Sequence, residues 1–150
     1  MTVSCGLVMY LKNPLRVLLV HPGGPYWRGK DQGAWSVPKG LPDAGEDELD
    51  AAKREFEEET GIAPRAPYLD LGALKQKSGK LVRCWAFEGD PRAAIAPGPS
   101  QFEMEWPPRS GQRAFFPEVD EARMFEIDDA LDKILPGQAG FICALRRRLN

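Results

Sequence analysis

Between Gly40 and Ile62 the chain reads GLPDAGEDELDAAKREFEEETGI. Leu49, Ala52 and Phe56 fall on one face at helical spacing, and the helix they define must also carry Glu55, Glu57, Glu58 and Glu59. Like charges three and four residues apart on a helix repel. Any fold that keeps this helix has to supply something that offsets them. Its limits are legible: helical signals begin near Asp47, and acids at Glu46–Glu48 suit the positive end of the helix dipole. Gly61 is placed to end the helix in a left-handed conformation.

On that helix Glu55, Glu58 and Glu59 stand at i, i+3 and i+4, so their carboxylates project from one side while Ala52 and Phe56 turn elsewhere. A hard divalent cation takes oxygen ligands, and Mg²⁺ in particular uses one or two carboxylates together with water and substrate phosphate. Bound metal would offset the crowding and neutralise phosphate oxygens under attack. Arg54 can reach Glu58 one turn on, Lys39 supplies a positive charge for phosphate, and the turn PKGLPDAGE can offer backbone carbonyls. The competing reading is a solvated acidic face, which is what most acidic runs are. A solvated helix would normally place Lys four residues after each Glu, yet Lys53 and Arg54 both precede the cluster.

The stretch resembles the signature of the Nudix hydrolases, G-x5-E-x7-R-E-U-x-E-E-x-G-U, where U is aliphatic or aromatic. Gly40, Glu46, Arg54, Glu55, Phe56, Glu58, Glu59, Gly61 and Ile62 fill every specified position. Its polar and glycine positions alone would match by chance about once in 10⁸ windows. The resemblance implies an α/β/α sandwich with a mixed sheet between this helix and a C-terminal helix, spread over residues 1–150 as a single domain. It implies Glu55 and Glu59 as metal ligands, Glu58 as a ligand or the base acting on water, and Arg54 holding Glu58. Lys39 would lend a backbone carbonyl to the metal, and Glu46 would lock the loop to the helix. The metal would be Mg²⁺ or Mn²⁺. Many family members add a further glutamate from a later loop, and FEMEWPPRSG offers Glu103 and Glu105, with Glu103 preferred. The reaction implied is attack of water on a phosphorus of a nucleoside diphosphate linked to another group, X.

The rest of the chain frames this helix. VSCGLVMYL (Val3–Leu11) and RVLLVHP (Arg16–Pro22) read as a hairpin of largely buried strands, followed by a Gly-rich loop, GGPYWRGKDQG. YLDLGALKQK and LVRCWAFEG flank Ser78-Gly79 as a second hairpin. Asp90 to Gly111 is proline-rich with little periodicity and reads as a long functional loop. RMFEI is a further strand, Asp128 is expected to cap the next helix, and that helix breaks at Pro136-Gly137. Phe141, Leu145 and Leu149 form a core-facing stripe beside a solvated Arg146–Arg148. Strands, helix, strands, helix make a mixed α/β or α+β fold.

At 150 residues, 43% hydrophobic and a net charge of −2, the chain suits one compact core and has no overall field for nucleic acid or membrane. An anionic ligand must be met locally. Cys5, Cys84 and Cys143 are scattered and odd in number, which points to buried thiols in a reducing compartment. With no basic segment ahead of the first apolar run, a soluble cytoplasmic protein is expected. No extended nucleic-acid surface is expected, and the oligomeric state is left open.

For the substrate, WSVPKG (Trp35–Gly40) is similar to the W-x-P-P-K-G stretch of Nudix diadenosine polyphosphate hydrolases. The stacking Tyr those enzymes carry beyond the signature has no counterpart at Ser78-Gly79. Other rings are available: Tyr26 and Trp27 in the Gly-rich loop, and Phe102 and Trp106 beside Arg109. Rings next to Arg suit a small-molecule nucleotide. Trp85 reads as core, and His21 as a local hydrogen-bonding residue. Three functions compete: a hydrolase of dinucleoside polyphosphates such as diadenosine tetraphosphate, a (deoxy)nucleoside triphosphate pyrophosphohydrolase, and a silent nucleotide-binding sensor. The intact signature disfavours the last, and PKG favours the first.

Overall fold

The computed structural model describes residues 2–150. In chain order it forms β1 (Val3–Leu11), β2 (Arg16–Pro22), β3 (Lys39–Gly40), α1 (Glu48–Thr60), β4 (Leu69–Lys75) and β5 (Leu81–Glu88). Then follow β6 (Gln101–Glu105), β7 (Arg113–Pro117), β8 (Val119–Glu126), α2 (Ile127–Lys133), a 3₁₀ turn (Pro136–Gln138) and α3 (Ala139–Leu149). The main sheet runs β4-β5-β1-β2-β8, with β3 also paired to β1. Among the described strand pairs of this sheet β1–β5 is parallel and the others antiparallel, so the sheet is mixed. Two partners share one edge of β1: β2 pairs with Tyr10 and Leu11, and β3 with Cys5 and Gly6. That sharing brings Lys39 and Gly40 under the face that α1 covers.

Strands buried on both sides read as continuous apolar runs, and their alternation sorts the core into two layers. Cys5, Leu7 and Met9 of β1, with Leu18 of β2 and Phe87 of β5, meet Ala52 and Phe56 of α1. Val8 and Tyr10, Val17 and Leu19, and Cys84 and Ala86 turn to the other face, where Phe141, Ile142 and Leu145 of α3 cover them. The architecture is therefore the α/β/α sandwich expected, with Trp85 buried as foreseen. Burial raises the thiol pKa of both Cys5 and Cys84, the former to about 11, as fits cysteines packed as small apolar groups.

Two local readings need correction. Asp128 does not cap α2: the helix starts at Ile127, Glu126 occupies the cap position, and Asp128 lies in the first turn, still favourable to the dipole. The segment from Asp90 to Gly111 is not loop throughout. Gln101–Glu105 pairs with Arg113–Pro117 as a separate two-stranded hairpin. Its alternation was hidden because Phe102, Met104 and Trp106 face inward between acids and prolines. The proline-rich stretch before it packs on the end of α1, where Ala96 N–H donates to the Thr60 carbonyl at 2.9 Å.

Phe56 is the anchor of α1, fully buried and edge-on to Phe87 at 5.1 Å between ring centres. Phe56→Ala is expected to cost about 3–5 kcal/mol of stability, read as a lowered urea midpoint with an unchanged m-value.

Candidate active site

The site is built first by α1. Asp47 caps it by accepting from Leu49 N–H at 3.1 Å and Asp50 N–H at 3.4 Å, and Gly61 ends it at φ 74°. Between these limits Arg54 is the hub. Its Nε and Nη2 donate to the two oxygens of Glu46 at 3.0 and 2.9 Å, its Nη2 donates to the Leu41 carbonyl at 3.1 Å, and its Nη1 donates to Glu55 at 2.9 Å. Glu58, the partner expected for Arg54, is farther away at 3.5 Å. Glu46 in turn accepts from the Asp43 N–H at 2.9 Å, so one guanidinium ties the turn before α1 to the helix face. These hydrogen bonds, Arg54's first, hold the Glu46 carboxyl down at about 2.

Gly40 lies where α1 meets β3, and a Cβ there would run into the carboxylate of Glu55. The glycine is required for that close approach. Glu59 accepts from the backbone N–H of Lys39 at 3.2 Å. Burial and then neighbouring Glu55 push the Glu59 carboxyl up to about 9, and burial raises that of Glu55 despite its contact with Arg54. Burial also lowers the affinity of the Lys39 ammonium for its proton, with Glu59 acting the other way. Half-buried Glu55 and Glu59 are thus two like-charged oxygen donors at close range, with Glu58 more exposed beside them. No group of three acidic, His or Cys side chains among the described residues is already gathered at metal-binding spacing. A pair of carboxylates with an all-oxygen donor set nevertheless fits Mg²⁺ or Mn²⁺, which complete their shells with water and substrate phosphate.

Glu59 and Lys39 open onto a cleft of about 270 Å³ whose other walls include Trp27, Ser36, Gln76 and Glu118. Glu118 stands on this cleft although the sequence did not single it out. Glu103, the acid preferred from the sequence, is not among the residues lining this cleft. In β6 the side chains alternate, Phe102 and Met104 face inward, and Glu103 turns out to pair with Arg113 at 3.0 Å. Glu105 accepts from the N–H groups of Arg109 and Gly111 at 3.2 and 3.0 Å, closing the hairpin tip, and leaves Arg109 exposed there. Tyr26, Trp27, Phe102 and Trp106 are brought together, with Tyr26 edge-on to Trp106 at 5.6 Å.

A bulge aims Glu118. On β2, His21 pairs with Glu121 but the next residue, Pro22, pairs with Val119, so Asp120 is an extra residue in β8. Asp120 turns its carboxylate to His21 Nδ1 at 2.9 Å, while His21 Nε2 donates to the Lys30 carbonyl at 2.7 Å. Glu118 is then stitched on both sides: its carbonyl accepts from Gly23 N–H at 3.1 Å and its N–H donates to Ser100 at 3.0 Å. The signal in the sequence was slight, an acid immediately ahead of an apolar strand residue.

A half-buried acid pair with an arginine hub, beside a lysine on the same cleft, offers oxygen donors that suit a divalent cation and a positive charge that suits phosphate. The NUDIX domain family matches residues 2–145, and the chain belongs to the Nudix family of pyrophosphate-bond hydrolases. Nudix hydrolase 7 of Arabidopsis thaliana is 32% identical over 81 residues, which is 54% of this chain but only 27% of that relative. Among solved structures, a Caenorhabditis elegans Ap4A hydrolase binary complex is similar with a TM-score of 0.71 at 22% identity, covering 97% of both chains. The NUDIX domain of Shewanella oneidensis NrtR, complexed with ADP ribose, gives 0.70 at 18% identity, covering 99% of this chain and 88% of the other. At these identities the two structures speak for the fold. Among the described residues no helix is long and apolar enough to cross a membrane.

The raised Glu59 pKa has a sign that can be tested. Its ordinary value is 4.5, so between about pH 5 and pH 9 the folded metal-free protein keeps a proton that the unfolded chain has released. Stability in chelator is expected to fall as pH rises through that window. Glu59→Gln should flatten the slope in melting temperatures measured from pH 6 to pH 9.

Proposed function

We propose that this hydrolase cleaves dinucleoside polyphosphates such as diadenosine tetraphosphate, using Mg²⁺ or Mn²⁺. The observation that carries the reading is the Glu55–Glu59 pair against Lys39 at the end of WSVPKG. The likeness to a protein described as an Ap4A hydrolase supports it. Glu55, Glu59 and Glu58 would hold the metal. When bound, it supplies Lewis-acid stabilisation of phosphoryl oxygens and lowers the proton affinity of water.

The chain's own groups do the rest. Arg54 restrains Glu55 and keeps the Leu41–Glu46 turn closed over the helix. Lys39 meets the phosphate chain as a cation beside Glu59. Glu118, on the same cleft, takes the part expected of a loop glutamate. As the oxygen of water bonds to phosphorus, its proton passes to the Glu118 carboxylate. The bridging P–O bond breaks, and the leaving phosphate departs with the electron pair.

Product analysis tests both substrate and roles. Diadenosine tetraphosphate with Mg²⁺ should give ATP and AMP, and chelator should stop it. Monophosphate from nucleoside triphosphates, with the dinucleotide untouched, would replace this reading with the pyrophosphohydrolase one. Glu58→Gln and Glu118→Gln should each lower kcat by about 10²–10⁴-fold, the usual worth of metal-linked or general-base groups. Glu103→Gln should leave kcat within about twofold of wild type, since its carboxylate only pairs with exposed Arg113. Equal losses in Glu103→Gln and retained activity in Glu118→Gln would reverse the assignment.

A further inference from the structure

Gln138 is fully buried in the 3₁₀ turn ahead of α3, and its amide is spent on residues of the cleft wall. Its Oε1 accepts from the Val37 N–H at 2.9 Å, and its Nε2 donates to Ser36 Oγ at 3.1 Å and to Gln76 Oε1 at 3.4 Å. Val37, Ser36 and Gln76 all line the cleft that holds Lys39 and Glu59. We propose that Gln76 binds substrate there, its side-chain NH₂ donating to a phosphate oxygen, and that Gln138 orients that amide; the assignment rests on the phosphoanhydride reading above.

The polarity follows from which groups can only donate. A backbone N–H has no lone pair to offer, so the atom of Gln138 that meets Val37 is oxygen. The other end of the amide is then NH₂, and leaving it buried without acceptors would be costly. Ser36 Oγ supplies one. Its own proton goes to the Val37 carbonyl at 2.8 Å, with Gln138 Oε1 farther off at 3.3 Å, so a lone pair is left for Gln138. Gln76 supplies the second acceptor, and it can do so only through Oε1. An amide whose oxygen is engaged with Gln138 has its NH₂ left over. That NH₂ belongs to a residue lining the cleft, and no acceptor among the described residues meets it.

Gln76 is also held in place beforehand. Its N–H donates to the Lys80 carbonyl at 2.8 Å, and its carbonyl accepts from Gly79 N–H at 2.9 Å. Its stem lies along Gly137, where an added Cβ would stand 3.4 Å from Gln76 Cγ. A donor fixed in advance loses little freedom on meeting its acceptor. Charge selects the occupant. Lys39 shares this cleft, and a metal held at Glu59 would add to its positive field, so the oxygens that reach Gln76 belong to an anion. A neutral carboxamide then adds a directed hydrogen bond to anionic oxygen without adding charge.

The test titrates inorganic tripolyphosphate with Mg²⁺ into the wild type and into Gln76→Ala, Gln76→Glu and Gln76→Lys, following heat, with melting temperatures reporting the fold. Gln76→Ala should bind about tenfold more weakly, and Gln76→Glu more weakly still. Gln76→Lys, which donates whatever its neighbours, should stay close to wild type. Gln138→Met should weaken binding in the wild-type background and far less in the Gln76→Lys background, because an ammonium needs no orienting. Unchanged affinity in Gln76→Ala, or a loss in Gln76→Lys as large as that in Gln76→Ala, overturns the contact. Equal losses from Gln138→Met in both backgrounds overturn the orienting role. If Gln138→Met does not fold, Gln138→Glu replaces it, since it keeps an oxygen for Val37 and removes the donor. The substrate reading fails separately: if diadenosine tetraphosphate is not cleaved while tripolyphosphate binding follows this order, the Gln76 contact stands without it.

Discussion

Two glutamates that cannot both be comfortable as anions set the rest of this structure. Glu55 and Glu59 are held between α1 and β3, where burial disfavours the charge of both and Glu55 further raises the proton affinity of Glu59. Leaving a buried charge without a partner costs several kcal/mol, so the surroundings are arranged around relief. Arg54 gives one partial answer and is itself fixed by Glu46 and the Leu41 carbonyl. Gly40 gives up a side chain so that the Glu55 carboxylate has room. The Lys39 N–H gives Glu59 a donor. The signature read in the sequence is thus one electrostatic problem written out residue by residue, whose solution a divalent cation would complete.

The second half of the site obeys a different logic. Glu118 contributes nothing to the acid pair's local frame. It is placed by a bulge that depends on His21 meeting Asp120, and by backbone bonds to Gly23 and Ser100. The β6–β7 hairpin is a two-stranded sheet outside the main one. A lone hairpin is marginal in water, so its order depends on docking to the Gly-rich loop through Phe102 on Gly24 and Tyr26 on Trp106. Loop, bulge and hairpin therefore stand or fall together.

This division explains what could be read in advance. The strands Val3–Leu11 and Arg16–Pro22, the limits of α1 at Asp47 and Gly61, and the crowding of Glu55, Glu58 and Glu59 are local facts, carried by apolar runs, caps and helical spacing. Glu103 looked as good as any acid in its segment, because strand direction within a proline-rich stretch is invisible until its partner strand is known. Pairing with Arg113–Pro117 turns it outward. Asp120 as an extra residue in β8 depends on a partner 99 positions away, and no pattern within β8 announces it. Arg54 was legible as a hub but not in its choice of partner, since the bidentate grip on Glu46 requires the turn between them to fold back.

The same division bears on how such a fold changes substrate without losing its reaction. The acid pair, its arginine and its glycine lie within Gly40–Glu59, and their geometry is fixed by one helix and one short strand against β1. The wall facing them is assembled from residues 20–27 and 100–119, which meet one another closely. Substituting Phe102 or Tyr26 alters a surface that α1 does not need for its own packing, because the helix is anchored by Ala51, Ala52 and Phe56 on its far side. A change at Gly40 or Arg54 has no such freedom, since it returns an unrelieved charge to a buried place. The two halves are therefore separable for a physical reason: the acid pair is a local balance of charge, whereas the wall facing it is a long-range meeting of two surfaces, with Glu118 among the residues that line the cleft there.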